Sequence, residues 1–370
     1  MTTLFLAGDV MTGRGIDRIL PHPGDPELRE PFLRDAGGYV RLAEAANGPI
    51  PQPVPFDWPW GEALGLLESR SPAVRVVNLE TAITRGDQFA PAKTVCYRMS
   101  PANVPCLLAA RPDVCVLANN HVLDFGRAGL LDTVTALTAA GIAVIGAGAD
   151  IDQARSPAIV GLPAGGRAVV LAAASQSSGV PTAWAATADR PGVNLIAEHD
   201  DTAADDLTAR AAATRRPGDI AVVSVHWGSN WGHHIPDEQI SFAHRLVDGG
   251  IDIVHGHSSH HPRAVEVYRD RLILYGCGDL INDYEGIVGD PFEDVFRDDL
   301  HLLYFADVDP ATGRLVSLTA DAVRSRRMRL ERASDEDVEW LGERLNAAGR
   351  RFGTRLLTGP GGRLVLEWRA

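Results

Sequence analysis

Residues 114–126 read Val-Cys-Val-Leu-Ala-Asn-Asn-His-Val-Leu-Asp-Phe-Gly, and a helical pattern follows them. The apolar run predicts a buried strand at Val114–Leu117, and the helix predicted at Ala128–Ala140 makes a crossover connection after it. Polar residues stand between the two elements, where the predicted strand ends. Ligands of open α/β sheets bind at the carboxyl ends of the strands. This stretch therefore predicts both an α/β fold and the position of a functional site.

The same alternation of apolar runs and helical patterns extends along the chain. The predicted strands are Thr3–Ala7, Val74–Asn78, Val114–Leu117, Ala143–Ile145, Ala168–Ala172, Ile220–Val225, Ile251–His255 and Leu272–Tyr275. The predicted helices are Gly61–Ser69, Pro101–Ala110, Ala128–Ala140, Asp201–Thr214 and Asp237–Asp248. This alternation predicts a mixed or largely parallel sheet that helices cover on both faces. Further on, His301–Val308 and Leu315–Ala322 are predicted to pair antiparallel, and a peripheral helix is predicted at about 335–349.

The chain has 370 residues, and we predict one catalytic domain over 1–330 with a C-terminal helix and tail over 331–370 packed on it. An insertion at 18–60 breaks the alternation, because nine prolines lie between Pro21 and Trp60. Proline fixes φ and lacks an amide donor, which excludes a central strand or a helix interior. The insertion is either a substrate-facing lid or an inert surface loop, and Trp58 and Trp60 favour a substrate-facing wall.

The composition excludes several classes of protein. A formal net charge of −13 argues against a partner with a phosphate backbone, so we expect no nucleic acid. No run approaches 18 uninterrupted apolar residues, and residues 1–7 lack the basic start of a signal peptide. We therefore expect no membrane contact and a cytoplasmic protein. The four cysteines form no Cys-x-x-Cys pair, which is typical of reduced thiols.

Five polar clusters follow predicted strands. They are Gly8-Asp9-Val10-Met11, Asn78-Leu79-Glu80, Asn119-Asn120-His121 with Asp124, His226-Trp227-Gly228, and residues 255–261 with His255, His257, His260 and His261. Any single cluster is more often a turn or a helix cap than a ligand set. Together they supply carboxylates, amides and imidazoles, and eight of the twelve histidines lie between His226 and His261. This nitrogen and oxygen set predicts two divalent metal ions that share a bridging carboxylate, with Mn, Zn, Fe, Co and Ni as candidates.

These motifs, in this order from residue 8 to about residue 285, resemble the CapA-type family, named for poly-γ-glutamate capsule biosynthesis, within the calcineurin-like metallophosphoesterase superfamily. The resemblance implies an α/β fold arranged as a four-layer α/β/β/α sandwich with mixed sheets, and a dinuclear metal centre. The metal ligands that it implies are Asp9, Glu80 as the bridge, Asn120, His226, and His257, His260 or both. It also implies acid/base chemistry at His121, oriented by Asp124.

The chain departs from the family pattern in places. Met11 stands where phosphoesterases usually carry a histidine ligand, and the spacing within residues 256–261 is altered, so His255 and His261 remain alternative ligands. Asp279 adds a carboxylate that could orient a metal-bound histidine or accept a proton. Arg14, just beyond Asp9, is a candidate contact for a substrate carboxylate or phosphate.

Two divalent ions support two kinds of reaction. They can activate water for hydrolysis of a phosphoester or a γ-glutamyl-type amide bond. They can also acidify the Cα–H beside a chelated carboxylate, and a base and an acid on opposite faces would then invert that carbon. The candidate catalytic residues are His121, Asp9, Asp124 and Asp279.

Our prediction favours the epimerase and keeps the hydrolase as the alternative. The chain is similar to CapA-like enzymes of lasso-peptide biosynthesis, which epimerise the C-terminal tryptophan of a ribosomal precursor peptide. Trp58, Trp60 and Trp227 would then bind that aromatic end group, and the substrate would be a peptide or a small molecule. A third possibility is a non-catalytic assembly factor that keeps its metal for folding.

Overall fold

The computed structural model describes residues 1–287 and 293–369. Its strands are β1 Thr2–Val10, β2 Val74–Leu79, β3 Ala82–Ile83, β4 Arg98–Met99, β5 Val114–Val116, β6 Ala143–Ile145, β7 Ala147–Gly148, β8 Ala158–Gly161, β9 Arg167–Ser175, β10 Gly192–Val193, β11 Leu195–Ile196, β12 Ile220–His226, β13 Ile253–His257, β14 Val265–Tyr268, β15 Arg271–Leu274, β16 Asp279–Ile281, β17 Leu300–Val308, β18 Leu315–Ser325, β19 Leu330–Arg332, β20 Thr354–Thr358 and β21 Leu364–Trp368. Its α-helices are α1 Arg14–Ile19, α2 Gly37–Asn47, α3 Ala63–Arg70, α4 Pro105–Ala109, α5 Gly126–Ala139, α6 Ile151–Arg155, α7 Asp201–Thr214, α8 Asp237–Asp248, α9 Glu293–Phe296 and α10 Asp335–Gly349. The predicted mixed α/β fold is confirmed.

Two mixed sheets organise the chain. Within the described residues, the first sheet has ten strands in the order β20-β21-β18-β17-β1-β2-β5-β6, with β16 beside β1 and β19 beside β18. The strands β1, β2, β5 and β6 are parallel, and β17 begins an antiparallel half. The second sheet, counted over the same residues, has seven strands in the order β11-β9-β12-β13-β15-β14, with β8 beside β9. The neighbours from β11 to β15 in this order pair parallel, whereas β8 pairs antiparallel with β9 and β14 pairs antiparallel with β15.

The second sheet is apolar on both faces, as its Val-rich strands predict. Val170 and Val222 belong to a core cluster that also contains Leu4 and Leu6 of the first sheet. The alternate residues, such as Val223, pack in a second cluster with residues of α7 and α8. Side chains of a strand alternate between faces, so the two sheets share one core and the two helices cover the far face of the second sheet.

The insertion at 18–60 is not the continuous loop that its prolines predicted. Helix α2 lies inside it and packs against α1, because Tyr39, Val40 and Ala43 recur at helical spacing and are buried. The prolines flank this helix rather than interrupt it. The predicted helix at 101–110 is also shorter, since Pro105 starts a new helical segment after a 3₁₀ turn.

The C-terminal residues depart from the predicted helix and tail. Helix α10 forms as predicted, and a capping box at Ser334 and Asp337 begins it. The residues after it form β20 and β21, and β21 pairs with β18 at the edge of the first sheet. Among the described helices, none combines the length and apolar character needed to cross a membrane.

Candidate metal centre

Strand register brings the polar clusters together. In the first sheet, Asp9 is paired with Asn78 on one side and with Asp279 on the other. In the second sheet, His226 is paired with His257. Strands β1, β2, β12 and β13 end at or next to these residues. The carboxylates and the imidazoles therefore meet where the carboxyl ends of the strands of the two sheets face each other.

The first group of candidate ligands contains Asp9, His226 and His257, whose ligand atoms lie within 4.8 Å of one another. His257 Nδ1 is 3.9 Å from Asp9 Oδ1, and the Nδ1 atoms of His226 and His257 face each other at 2.8 Å. At this distance the two nitrogens cannot both carry a proton, so at least one presents a lone pair. This arrangement suits two rings that bind one cation.

The second group contains Asp9, His260 and Asp279, again with ligand atoms within 4.8 Å of one another. His260 Nδ1 lies 2.9 Å from Asp279 Oδ1. Asp9 belongs to both groups, which places its carboxylate between two candidate cation positions. The resemblance assigns the bridge to Glu80 instead, and that assignment stays a prediction.

Glu80 and Asn120 lie on the other side of His226. Glu80 Oε1 is 3.9 Å from His226 Nε2, and Asn120 Oδ1 is 3.1 Å from the same nitrogen. Asn78 Nδ2 donates to Asp9 Oδ1 at 2.7 Å and lies 3.3 Å from Glu80 Oε2. One amide therefore holds the two carboxylates at fixed positions in the cluster.

The electrostatics of the centre favour a bound cation. Burial, and then the nearby charge of Asp279, raises the pKa of Asp9 to about 7. Burial and the Asp9 carboxylate raise the pKa of Glu80 well above its usual value. Asp9 Oδ2 is buried, and none of the described residues hydrogen-bonds to it. Converging carboxylate, amide and imidazole donors fit divalent transition metals.

His121 lies at the rim of this cluster. Its Nδ1 is 2.7 Å from Asp124 Oδ2, and its Nε2 is 3.7 Å from Glu80 Oε1. Burial lowers the pKa of His121 to about 4, although Asp124 opposes that change. We assign the ring proton to Nδ1 because Asp124 accepts there, which leaves the Nε2 lone pair facing the centre.

The loop after β5 fixes His121 through local hydrogen bonds. Asn119 Oδ1 accepts from the backbone N–H groups of His121 and Val122, at 3.1 and 3.0 Å. Asn119 Nδ2 donates at 2.9 Å to the carbonyl oxygen of Leu79 at the end of β2. A short polar side chain that bonds the backbone two residues ahead is typical of a tight turn. The first Asn of the motif thus holds the turn that presents the second Asn and the histidine.

The two alternative ligands have their ring nitrogens engaged elsewhere. His255 Nε2 is 2.9 Å from the Ala7 carbonyl oxygen, and its Nδ1 is 3.0 Å from Ser224 Oγ. The same hydroxyl lies 2.9 Å from His257 Nε2, so it orients His257 with Nδ1 toward Asp9. His261 contacts the Pro262 carbonyl oxygen through Nδ1 and the Gly232 N–H through Nε2. His257 and His260 belong to the two candidate ligand groups and are therefore favoured over the alternatives.

A cavity of about 910 Å³ opens onto the centre. Three residues of the site lie on its wall, namely Asn120, His121 and His260. Its apolar wall is formed by Phe32, Leu33, Leu42, Trp231 and Ile287. The insertion therefore does face the cavity, through residues that the sequence analysis did not select.

The three tryptophans of the predicted wall are not among the residues that line this cavity. Trp60 and Trp227 are fully buried, and their indole N–H groups donate to the carbonyl oxygens of Cys106 and Tyr275. Trp58 is half-buried and donates to Arg327 O at 3.1 Å, away from the residues that line the cavity. Indole N–H groups that find internal partners can pack inside the protein, and these three do so.

Arg14 lines the cavity but is not available as a simple anion contact. Its guanidinium pairs with Glu30 at 2.9 Å and with Asp283, and it lies 3.9 Å from the ring centroid of Tyr39. Glu30 and Asp283 are fully buried as well. Two carboxylates therefore already balance this charge, and Arg14 mainly ties the insertion to the centre.

Two residues that position side chains of the site were not predicted from the sequence. Ser224 orients His257, and an isolated serine in an apolar strand gives no signal of that role. Lys93 Nζ lies 2.6 Å from Asp124 Oδ1, so it ion-pairs with the carboxylate that holds His121. Lys93 does carry a sequence signal, since it is the single lysine of the chain.

The fold and the site together define a mixed α/β protein with a candidate divalent metal centre between the edges of two sheets. The chain belongs to the family of bacterial capsule synthesis proteins called PGA_cap, whose model matches residues 3–284. This finding confirms the CapA-type resemblance. The branch of lasso-peptide epimerases stays a prediction.

Curated relatives agree with this family. The chain is 56% identical over 363 residues to a probable polyglutamine synthesis accessory protein of Mycobacterium tuberculosis, a match that covers 97% of this chain and 94% of that protein. It is 25% identical over 281 residues to the capsule biosynthesis protein CapA of Bacillus anthracis, covering 76% of this chain and 60% of that protein. The PGA biosynthesis protein CapA of Bacillus subtilis matches 207 residues at 27% identity, or 56% of this chain and 52% of that protein.

Proposed function

We propose that the chain is a metal-dependent enzyme that hydrolyses an amide bond of a glutamyl or glutaminyl chain during synthesis of such a polymer. One observation carries the proposal: Asp9, His226 and His257 converge in a buried cluster beside the His121–Asp124 pair, and His121 lines a large cavity. The calcineurin-like four-layer arrangement and the two-ion centre belong to the same proposal.

Two divalent ions bound here would polarise the substrate carbonyl and supply hydroxide at neutral pH. The residues of the chain would do the rest. With its proton held on Nδ1 by Asp124, neutral His121 accepts a proton at Nε2 and returns it to the leaving nitrogen. The oxygen of water bonds to the carbonyl carbon, the carbon–nitrogen bond breaks, and the amine leaves with the proton from His121.

The names of the relatives support this choice of substrate. A polyglutamine chain is uncharged at its side chains, so the net charge of −13 does not repel it. A poly-γ-glutamate chain is anionic and would be less favourable on charge alone. We therefore rank glutaminyl oligomers above glutamyl oligomers as substrates, and both above a lasso precursor.

Epimerisation remains a second candidate, and one observation favours it. His260 is paired with Asp279 as His121 is paired with Asp124, and both histidines line the same cavity. Burial lowers the pKa of His260, but the charge and the hydrogen bond of Asp279, together with the charges of Asp9 and Asp298, outweigh burial and the net shift is upward. In this reaction His260 acts as the acid instead of a metal ligand. Neutral His121 and the more basic His260, on one cavity, then provide a base and an acid for inverting a Cα centre.

A single experiment separates these functions. The protein, loaded with Mn²⁺ or Co²⁺, is incubated in D₂O with γ-glutamyl oligomers, glutaminyl oligomers and a peptide ending in tryptophan, and the products are weighed by mass spectrometry. Shortened chains support hydrolysis, and a gain of about one dalton without cleavage supports epimerisation, since one C–H becomes C–D. Intact, unlabelled substrates in every reaction would contradict both and favour a non-catalytic assembly factor.

A further inference from the structure

Lys93 is the single lysine among the 35 lysine and arginine residues of the chain. It lies between β3 and β4, on the wall shared by the cavity at the metal centre and a second cavity of about 580 Å³. Its side chain is 20% exposed. All the other residues of this set are arginine. The lysine at this position therefore indicates that a property which arginine lacks is required here.

The ammonium group lies where three parts of the site meet. Its Nζ is 2.6 Å from Asp124 Oδ1 and 3.1 Å from His121 Nδ1, and it donates to the backbone carbonyl oxygen of Asn120. Asp124 holds His121 through its other oxygen, and the side chain of Asn120 lies beside His226. One cation therefore fixes both the pair that moves a proton and the amide that faces the metal centre.

The shape of the cation explains why arginine does not suit this position. A guanidinium is a planar fork of three nitrogens, whereas an ammonium is a compact point charge with three donors. Arg98, five residues away, spreads its fork over the carbonyl oxygens of Gly86 and Asp25, at 2.7 and 2.8 Å. At Lys93 a single nitrogen contacts a carboxylate, a ring nitrogen and a carbonyl oxygen, which suits a compact ammonium better than a planar fork.

We propose that Lys93 is a positioning residue that holds Asp124 and the backbone of Asn120, and thereby keeps His121 Nε2 and Asn120 Oδ1 directed at the metal centre. The role rests on the proposed metal centre but not on the reaction. Residues behind the ligands of a metal commonly change its affinity by about 10- to 100-fold.

The first test is metal affinity, measured by calorimetry with Mn²⁺ and Co²⁺. We expect Lys93→Met and Lys93→Arg each to weaken binding by about tenfold or more, since neither replaces a compact ammonium. Lys93→Cys treated with bromoethylamine regains an ammonium at nearly the same reach and should recover most of the affinity. The four native cysteines are buried, so the treated wild type is a fair control. Arg127→Met removes a half-buried cation that bonds the carbonyl oxygens of Pro191 and Ala183, and should leave the affinity unchanged.

The second test needs no metal and no substrate. Nitrogen-15 NMR of the histidine rings should show His121 protonated at Nδ1 in the wild type. In Lys93→Met the His121 ring signals should shift, because the carboxylate that accepts from Nδ1 loses its ion pair. Because Lys93 is the single lysine, reductive methylation with [¹³C]formaldehyde labels only it and the Met1 amine. We expect the Lys93 signal to develop much more slowly in the folded protein than in urea.

The outcomes distinguish this inference from the proposed function. A wild-type protein that binds neither ion ends the proposed metal centre, and the histidine spectra then still decide whether Lys93 holds His121. Normal binding with Lys93→Met within twofold of wild type would overturn the positioning role. So would a Lys93→Arg variant that matches wild type, or a raised KM with unchanged metal affinity and unchanged His121 ring signals.

Discussion

The two sheets bring opposite chemistry to the centre. The edge of the first sheet supplies carboxylates, at Asp9, Glu80 and Asp279, and the edge of the second supplies imidazoles, at His226 and His257. Burial raises the pKa of Asp9 and lowers those of the two histidines. Burial disfavours the charged form on both sides, but only the carboxylate side needs a cation to stay ionised.

The difference between the carboxylates and the imidazoles indicates which sheet controls metal binding. The imidazoles are already in the neutral form that binds metal, so they cost little to assemble. The carboxylates must lose their protons when a metal ion enters. We therefore expect metal binding, and its dependence on pH, to be set mainly by the first sheet.

The largest expected effect concerns His121, which lies at the rim of the centre beside Glu80. His121→Gln should lower turnover by about 10²- to 10⁴-fold, because it removes the group that moves the proton. Metal content and melting temperature should stay close to wild type. His22→Gln, on an exposed histidine of the insertion, is the control. Full activity of His121→Gln would remove this residue from the chemistry of either reaction.

The next effect compares one ligand from each sheet. Asp9 belongs to both candidate ligand groups, whereas His257 belongs to one. Asp9→Asn should weaken the binding of both ions, by roughly 10²- to 10³-fold for a ligand that supplies about a quarter of a metal-binding free energy. His257→Ala should weaken one ion and retain the other. Elemental analysis after dialysis gives the number of metal ions bound per chain. Equal losses of metal in the two variants would contradict the expectation that the first sheet controls metal binding.

The third effect is a dependence of stability on pH in the presence of a chelator. Folded Asp9 keeps its proton to about pH 7, while an unfolded aspartate releases it near 3.8. The folded state therefore binds more protons in this window, and its stability falls as the pH rises through it. Relative to Asp9→Asn, the wild type should lose roughly 2–4 kcal/mol of unfolding free energy between pH 4 and pH 8.

The histidines have the opposite linkage, since their lowered pKa values favour the folded state above about pH 6.5. Both proteins contain them, so the difference between the two unfolding curves isolates Asp9. Saturating Mn²⁺ should flatten that difference. Parallel curves in the chelator would show that Asp9 is ionised in the folded protein at low pH.

The smallest effect tests the cavity wall rather than the centre. Phe32 is 62% exposed and lines the cavity, whereas Trp58 of the same insertion does not line it. Phe32→Ala should raise the KM of a bound oligomer about three- to tenfold, as expected for losing a single apolar contact, with kcat little changed. Trp58→Phe should leave both constants within twofold. A larger effect of Trp58→Phe would restore the tryptophan wall predicted from the sequence.

Most helices and strands of the fold could be predicted from the periodicity of apolar residues. The predicted bounds of α7, α8, α10 and β6 agree with the structure, and most other predicted strands differ by a few residues at their ends. The failures have physical causes. Proline density hid α2, whose buried side chains are set by contact with α1, and the C-terminal strands form because β18 offers an edge.

Side-chain environments were less readable. Trp60 and Trp227 are large and amphipathic, and such residues suit a ligand wall and a core equally well. His255 and His257 are two residues apart on β13 and so lie on one face, yet only His257 reaches Asp9. Which of the two histidines reaches Asp9 depends on how far along β13 it lies relative to the first sheet. The alternation of side chains along a strand gives no information about that position.

The sequence by itself determined which residue types end each strand, and hence the family and the chemical character of the centre, because a local pattern fixes where a strand stops and which side chains come directly after it. Only the tertiary structure decided that Asp9 pairs with Asp279, which is 270 positions away, and that Lys93 supports His121. Those contacts depend on how the strands align and how the two sheets pack, and the packing energy that sets both is spread over the whole core.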